Sequence, residues 1–152
     1  SIHANALPKG RHANGTEIYI MALPTDKDAM ELALIENREL TGDNGSESSA
    51  QVDKKTKMLL NILGNMQQNA KISDSTEVAE HLFKSGKKQK INMRRVAQAP
   101  FFVLRGATMP AVLIETGFLT ERSEAKKLAT PSFQKQFAEA VAQGVETYFN
   151  GR

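Results

Sequence analysis

The chain has 152 residues, 40% of them hydrophobic and 24% charged, enough for one domain with a buried core. With no cysteine it has no disulfide framework, no thiol nucleophile and no thiolate metal site, so any metal falls to histidine and carboxylate. The net charge of +3 is too mild to point to nucleic acid, and no stretch is long and apolar enough to span a membrane.

Ser1 to Ala6 reads as the end of a small-residue strand without an initiator methionine, and the chain is expected to be N-terminally truncated. Leu7 to Asn14 holds Pro8, Gly10 and Asn14 and reads as a loop. Gly15 to Met21 is rich in β-branched and aromatic residues, which predicts a strand. Thr25-Asp26-Lys27-Asp28 offers a cap, and Met30, Ala33, Leu34 and Asn37 fall at helical spacing, which predicts a helix from about Asp26 to Leu40. Thr41 to Ala50 is polar and glycine-containing, a composition that favours disorder. A second helix is expected from about Gln51 to Ala70. A third is expected from about Asp74 to Ser85, with Val78, Ala79, Leu82 and Phe83 inward and Gly86 as its stop.

Gly86 to Arg95 reads as a basic, solvated loop. Phe101 to Leu104 and Ala111 to Ile114 are unbroken apolar runs of the kind found in buried strands. A short helix follows from about Glu121 to Ala129. The last helix opens with Thr130 as N-cap and Pro131 in its first turn, and carries Phe133, Phe137, Val141, Val145 and Tyr148 as one stripe. This order predicts an α/β fold: a mixed or mostly parallel sheet flanked by helices, with a helical insertion.

Two side chains stand out chemically. His3 precedes Ala4, Asn5 and Ala6, whose small size leaves an open rim at a strand end, where ligands bind in α/β sheets. Glu115 follows four apolar residues, and a carboxylate on a core strand needs a cation or hydrogen bonds to offset its burial. The ordinary alternatives are a satisfied core histidine and a glutamate paired with a loop arginine. The other histidines, His12 and His81, fall in a loop and on a surface helix.

Four blocks, Ser1–Ala6, Gly15–Ile20, Gln98–Arg105 and Met109–Leu119, resemble successive core blocks of the zinc-dependent N-acetylmuramoyl-L-alanine amidases of bacterial cell walls. The C-terminal helix with Gly144, Tyr148 and Phe149 is similar too. The resemblance implies Zn2+ as cofactor, His3 as a zinc ligand and Glu115 as the catalytic carboxylate. It implies hydrolysis of the amide between N-acetylmuramic acid and L-alanine in peptidoglycan, in the periplasm or outside the cell, for wall remodelling or daughter-cell separation. The family's earlier histidine, in a Gly-His-Gly turn, and its earlier glutamate have no matching motif in this chain.

In some members of this family a helix after the second of these strands blocks the site until an activator protein draws it away. The Ala33-Leu34-Ile35-Glu36-Asn37 stretch is similar to that segment. Glu36, and after it Glu31, are therefore the candidate blocking ligands, within an inserted regulatory segment from about residue 26 to 70 of a single amidase-like domain (residues 1–152). The ordinary reading of both is a solvated helix charge. Two rival functions remain: a related zinc exopeptidase, and a non-catalytic peptidoglycan-binding or regulatory module that kept the fold without the metal.

Overall fold

A computed structural model describes residues 1–7, 10–41 and 70–151. Four strands run through it, β1 (Ile2–Asn5), β2 (Thr16–Met21), β3 (Met93–Ala99) and β4 (Leu113–Phe118). Their helices are α1 (Lys27–Thr41), α2 (Ala70–Lys88), α3 (Arg122–Leu128) and α4 (Pro131–Asn150). The helix expected from about Gln51 and the polar stretch from Gly42 lie outside the described residues.

The sheet has the order β1-β4-β2-β3. It is mixed: β1 and β4 are parallel, β2 and β3 are parallel, and β2 meets β4 antiparallel. One face packs on α1, through Tyr19, Met21, Leu113, Ala29, Leu32 and Ala33. The other packs on α2 and α4, through Ile18, Ile20, Ile114, Ala79, Leu82, Phe133 and Phe137. Strand β2 is buried along its whole length, as a central strand covered on both faces must be.

Several expectations shift in position for identifiable reasons. The Phe101–Leu104 run is not a strand: a 3-10 turn spans Phe102–Leu104. Pro100, which lacks an N–H, ends the ladder of β3, and the chain then buries Phe101 and Leu104 three apart while Val103 stays 40% exposed. The strand at that place in the order is β3, which begins inside the expected basic loop and runs on to Ala99. It is an edge strand among the described residues, and edges tolerate charges such as Arg94 and Arg95.

Gly86 does not stop α2. The helix continues to Lys88, and the left-handed residue beyond it is Lys90 (φ 57°). Gly86 is instead needed for close approach, because a Cβ there would lie 2.4 Å from the Met93 sulfur. The last helix begins as expected, with the Thr130 hydroxyl accepting the Phe133 N–H. Its buried stripe runs through Ala140 and Gly144 rather than Val145, since a Cβ at Gly144 would sit 2.9 Å from Leu82 Cα of α2. The Thr116-Gly117 pair lies within β4, so Glu115 stands in the strand and not at its end.

Candidate metal and hydrolase site

Helix α1 owes its place to both of its ends. Asp26 caps it, its carboxylate accepting the Ala29 N–H at 2.8 Å. Ahead of the cap, Thr25 joins β3: its N–H donates to Gln98 O at 3.0 Å and its hydroxyl accepts the Gln98 N–H at 2.8 Å. Ala29, Leu32 and Ala33 are buried, and the same stripe continues one turn on as Glu36 and Asn37, both also buried. Buried polar groups need partners. Asn37 donates to Pro100 O at 2.9 Å and accepts from Phe102 N–H at 2.7 Å, so the 3-10 turn clamps the helix. Met30 and Leu34, expected to face inward, are only half-buried.

Glu36 is thereby delivered to β1, where its carboxylate meets His3 Nδ1 at 2.7 Å. The other ring nitrogen, Nε2, lies 2.8 Å from the Ser1 hydroxyl. Thr116 holds the strand in place, its hydroxyl donating to His3 O at 2.9 Å. Sheet register brings His3 beside Glu115, which has no solvent exposure. One ligand atom each from His3, Glu36 and Glu115 lie within 4.8 Å of one another.

The donor set fits a divalent metal. An imidazole nitrogen and two carboxylates are ordinary zinc ligands, and they converge from three separate elements. Two carboxylate charges at this separation repel by about 3 kcal/mol at an effective dielectric of 20, and a cation among them turns that repulsion into attraction. Glu31 is placed elsewhere, pairing with Arg11 at 2.5 Å.

Glu115 also stands opposite Glu17 of β2, and Glu17 beside Arg95 of β3. A row of His3, Glu115, Glu17 and Arg95 thus crosses all four strands. Glu17 is 1% exposed and is held by Arg95 Nε at 2.7 Å, by Arg94 and by the Tyr19 hydroxyl at 2.7 Å. Burial, with Glu17 beside it, pushes the Tyr19 phenol well above its ordinary range, so it stays a donor. Burial would lower Arg95, but Tyr19 and Glu17 outweigh it and the guanidinium is raised. From the sequence, Glu17 and Tyr19 read only as strand residues, and Arg94 and Arg95 only as part of a basic loop, either solvated or attracting anionic groups. The alternation of Glu17 and Tyr19 along β2 was the available signal, since it puts both on one face.

Against this geometry, the family described as N-acetylmuramoyl-L-alanine amidase matches residues 1–147. The chain belongs to the N-acetylmuramoyl-L-alanine amidase family. It is 32% identical to the amidase AmiA of Escherichia coli (strain K12) over 151 residues, covering 99% of this chain and 51% of that protein. It is similar to the crystal structure of an N-acetylmuramoyl-L-alanine amidase from Clostridium difficile 630, with 26% identity, a TM-score of 0.60, and 99% and 56% of the two chains covered. The fold is shared by the CwlD amidase from Clostridioides difficile, solved in complex with the GerS lipoprotein, at 21% identity and a TM-score of 0.58, covering 99% and 53%. The chain spans about half the length of AmiA and of both solved chains.

Proposed function

We propose that this chain carries part of a zinc-dependent N-acetylmuramoyl-L-alanine amidase site acting on peptidoglycan in the bacterial cell envelope, periplasmic or extracellular. The observation that carries the reading is the convergence of His3, Glu36 and Glu115 within 4.8 Å in a chain of this family.

In this reading His3 holds the metal and Glu115 is the general base. Zinc held there would supply polarisation of the scissile carbonyl and a more acidic water. Glu115 takes the proton from the attacking water as the water's oxygen bonds to the lactyl carbonyl carbon. The C–N bond to L-alanine then breaks, and Glu115 returns the proton to the leaving amine. The products are a free lactyl carboxylate and a stem peptide beginning at L-alanine. No covalent enzyme intermediate is required.

Glu36 is assigned the blocking role, ahead of Glu31, which pairs with Arg11 instead, within a regulatory segment from about residue 26 to 70. What supports the first assignment is that α1 sets Glu36 against His3 at 2.7 Å. An activator protein that draws α1 off would free His3, and the pathway served would be wall remodelling or daughter-cell separation. The test is mass spectrometry of products from purified peptidoglycan treated with the zinc-supplied protein, with and without chelator, for the wild type and Glu36→Ala. Chelator-sensitive release of stem peptides starting at L-alanine, greater for Glu36→Ala, is the expected result. Binding of peptidoglycan without release by either protein would favour the non-catalytic module.

A further inference from the structure

Glu36 is not the only acidic group that α1 sets onto a basic side chain. Asp28 and Glu31 both pair with Arg11, in the loop after β1. Asp26, the cap, pairs with Arg95 Nη1 at 2.5 Å. All three acids leave with α1 if it lifts, whereas Glu17, the other partner of Arg95, belongs to the sheet and stays.

Arg11 and Arg95 line one cavity, of about 70 Å³, together with Glu17, Tyr19 and the α1 residues Leu32 and Ile35. It also touches Asn5 and Phe118, which pair with each other two and three residues beyond His3 and Glu115, across a shift in register. The cavity is therefore next to the metal-type cluster, at the carboxyl ends of β1 and β4, where α/β sheets bind ligands. Its ceiling is α1.

Resting on the amidase reading, we propose that Arg11 and Arg95 are a carboxylate-binding subsite for an acidic peptide substrate, and that α1 fills it as an internal mimic. The helix then occupies both halves of the site at once: Glu36 takes the position at His3, and Asp26, Asp28 and Glu31 take the positions of the peptide's carboxylates. Guanidinium groups suit this role because their planar fork engages a carboxylate through two parallel hydrogen bonds. The pairs made by Arg11 are also exchangeable. Asp28 and Glu31 are about half exposed, and exposed ion pairs hold weakly and are screened by salt. The neighbouring acids raise Arg11 above its ordinary range, so its charge is constant at every working pH. A substrate whose carboxylates compete for Arg11 and Arg95 would thus help displace the helix that blocks His3.

The test is titration calorimetry of the metal-free protein, in chelator, with the synthetic dipeptide L-alanyl-γ-D-glutamate and with its diamide. The Asp28→Asn/Glu31→Gln double variant is expected to bind the dipeptide at least fivefold more tightly than the wild type, with no gain for the diamide. Adding Arg11→Gln to that background should return the affinity to the wild-type level, and raised salt should weaken the gain. An unchanged dipeptide affinity, or an equal gain for the diamide, would overturn the proposal. Circular dichroism of each variant confirms folding, and the substitutions are exposed. Because no metal or turnover enters the readout, a null result here is separate from a failure to cleave peptidoglycan.

Discussion

Glu115 of β4 lies between His3 of β1 and Glu17 of β2 in the sheet register, so two fully buried carboxylates are direct cross-strand neighbours. Opposed residues of an antiparallel pair stand about 5 Å apart at Cβ. The two acids are kept distinct by their surroundings. Glu17 is neutralised by Arg94 and Arg95, while Glu115 faces the His3–Glu36 pair. Glu115→Gln, which keeps the side chain's shape and one oxygen, should therefore retain the fold while lowering peptidoglycan hydrolysis by about a hundred- to ten-thousand-fold. Unchanged circular dichroism with product analysis checks this, and full retained turnover would remove Glu115 from the base role.

For Glu36→Ala two opposite changes are expected. One of three converging donors is lost, so zinc affinity measured by chelator competition should fall. The charged contact that docks α1 on His3 is lost as well, a loss on the order of 2 kcal/mol, so hydrolysis should rise by about tenfold or more. A fall in both quantities would mean that Glu36 supports the metal without blocking the site.

Asn37 is the neutral counterpart of Glu36 on the same stripe. Replacing it by alanine leaves Pro100 O and Phe102 N–H without their partner, at a cost of about 1 to 3 kcal/mol in denaturant unfolding. Hydrogen exchange should show the loosening concentrated in α1 and the Phe102–Leu104 turn. Uniform loosening across the sheet would contradict the clamp.

The pH limits have separate sources. The Ala29 N–H, helped by Arg95 against the effect of burial, holds the Asp26 carboxyl below its ordinary value. A depressed carboxyl stabilises above its unfolded pKa, about 4, and loses that contribution as pH falls through the lower folded value. The α1 amino end should thus loosen below about pH 4, and Asp26→Asn should flatten this dependence. Tyr19 has the opposite sign. Its raised phenol stabilises fully below the unfolded pKa, about 10, and loses that contribution as pH rises above it. Tyr19→Phe should remove the alkaline dependence, with unfolding followed by fluorescence or circular dichroism.

Where residue chemistry acts locally, the sequence was easily read. Thr130-Pro131 marks the start of α4, and the apolar run before Glu115 marks β4, because caps and buried strands depend on near neighbours. His3, Glu36 and Glu115 were legible as a set only through the family resemblance, since strand order brings them together and no spacing encodes it. Strand β3 was hidden by Arg94 and Arg95, whose charges look solvated until Glu17 is placed beside them. Of the α1 stripe expected from spacing, Ala33 and Asn37 are buried, but Met30 and Leu34 give way to Ala29, Leu32 and Glu36, because a charged residue such as Glu36 is buried only where a distant partner, here His3, meets it.

The antiparallel meeting of β2 and β4 at the middle of the sheet has a kinetic consequence. The two flanking pairs, β1 with β4 and β2 with β3, each join segments far apart in the chain, and β4 binds them into one sheet. Such pairings carry a large loop-closure entropy, so the domain should fold more slowly than a helical bundle of its size. During synthesis, His3 emerges long before Glu115. A nascent or clipped chain ending before Leu113 therefore holds the histidine and the α1 acids without the carboxylate beside them, and the cluster comes into being only once β4 has been made.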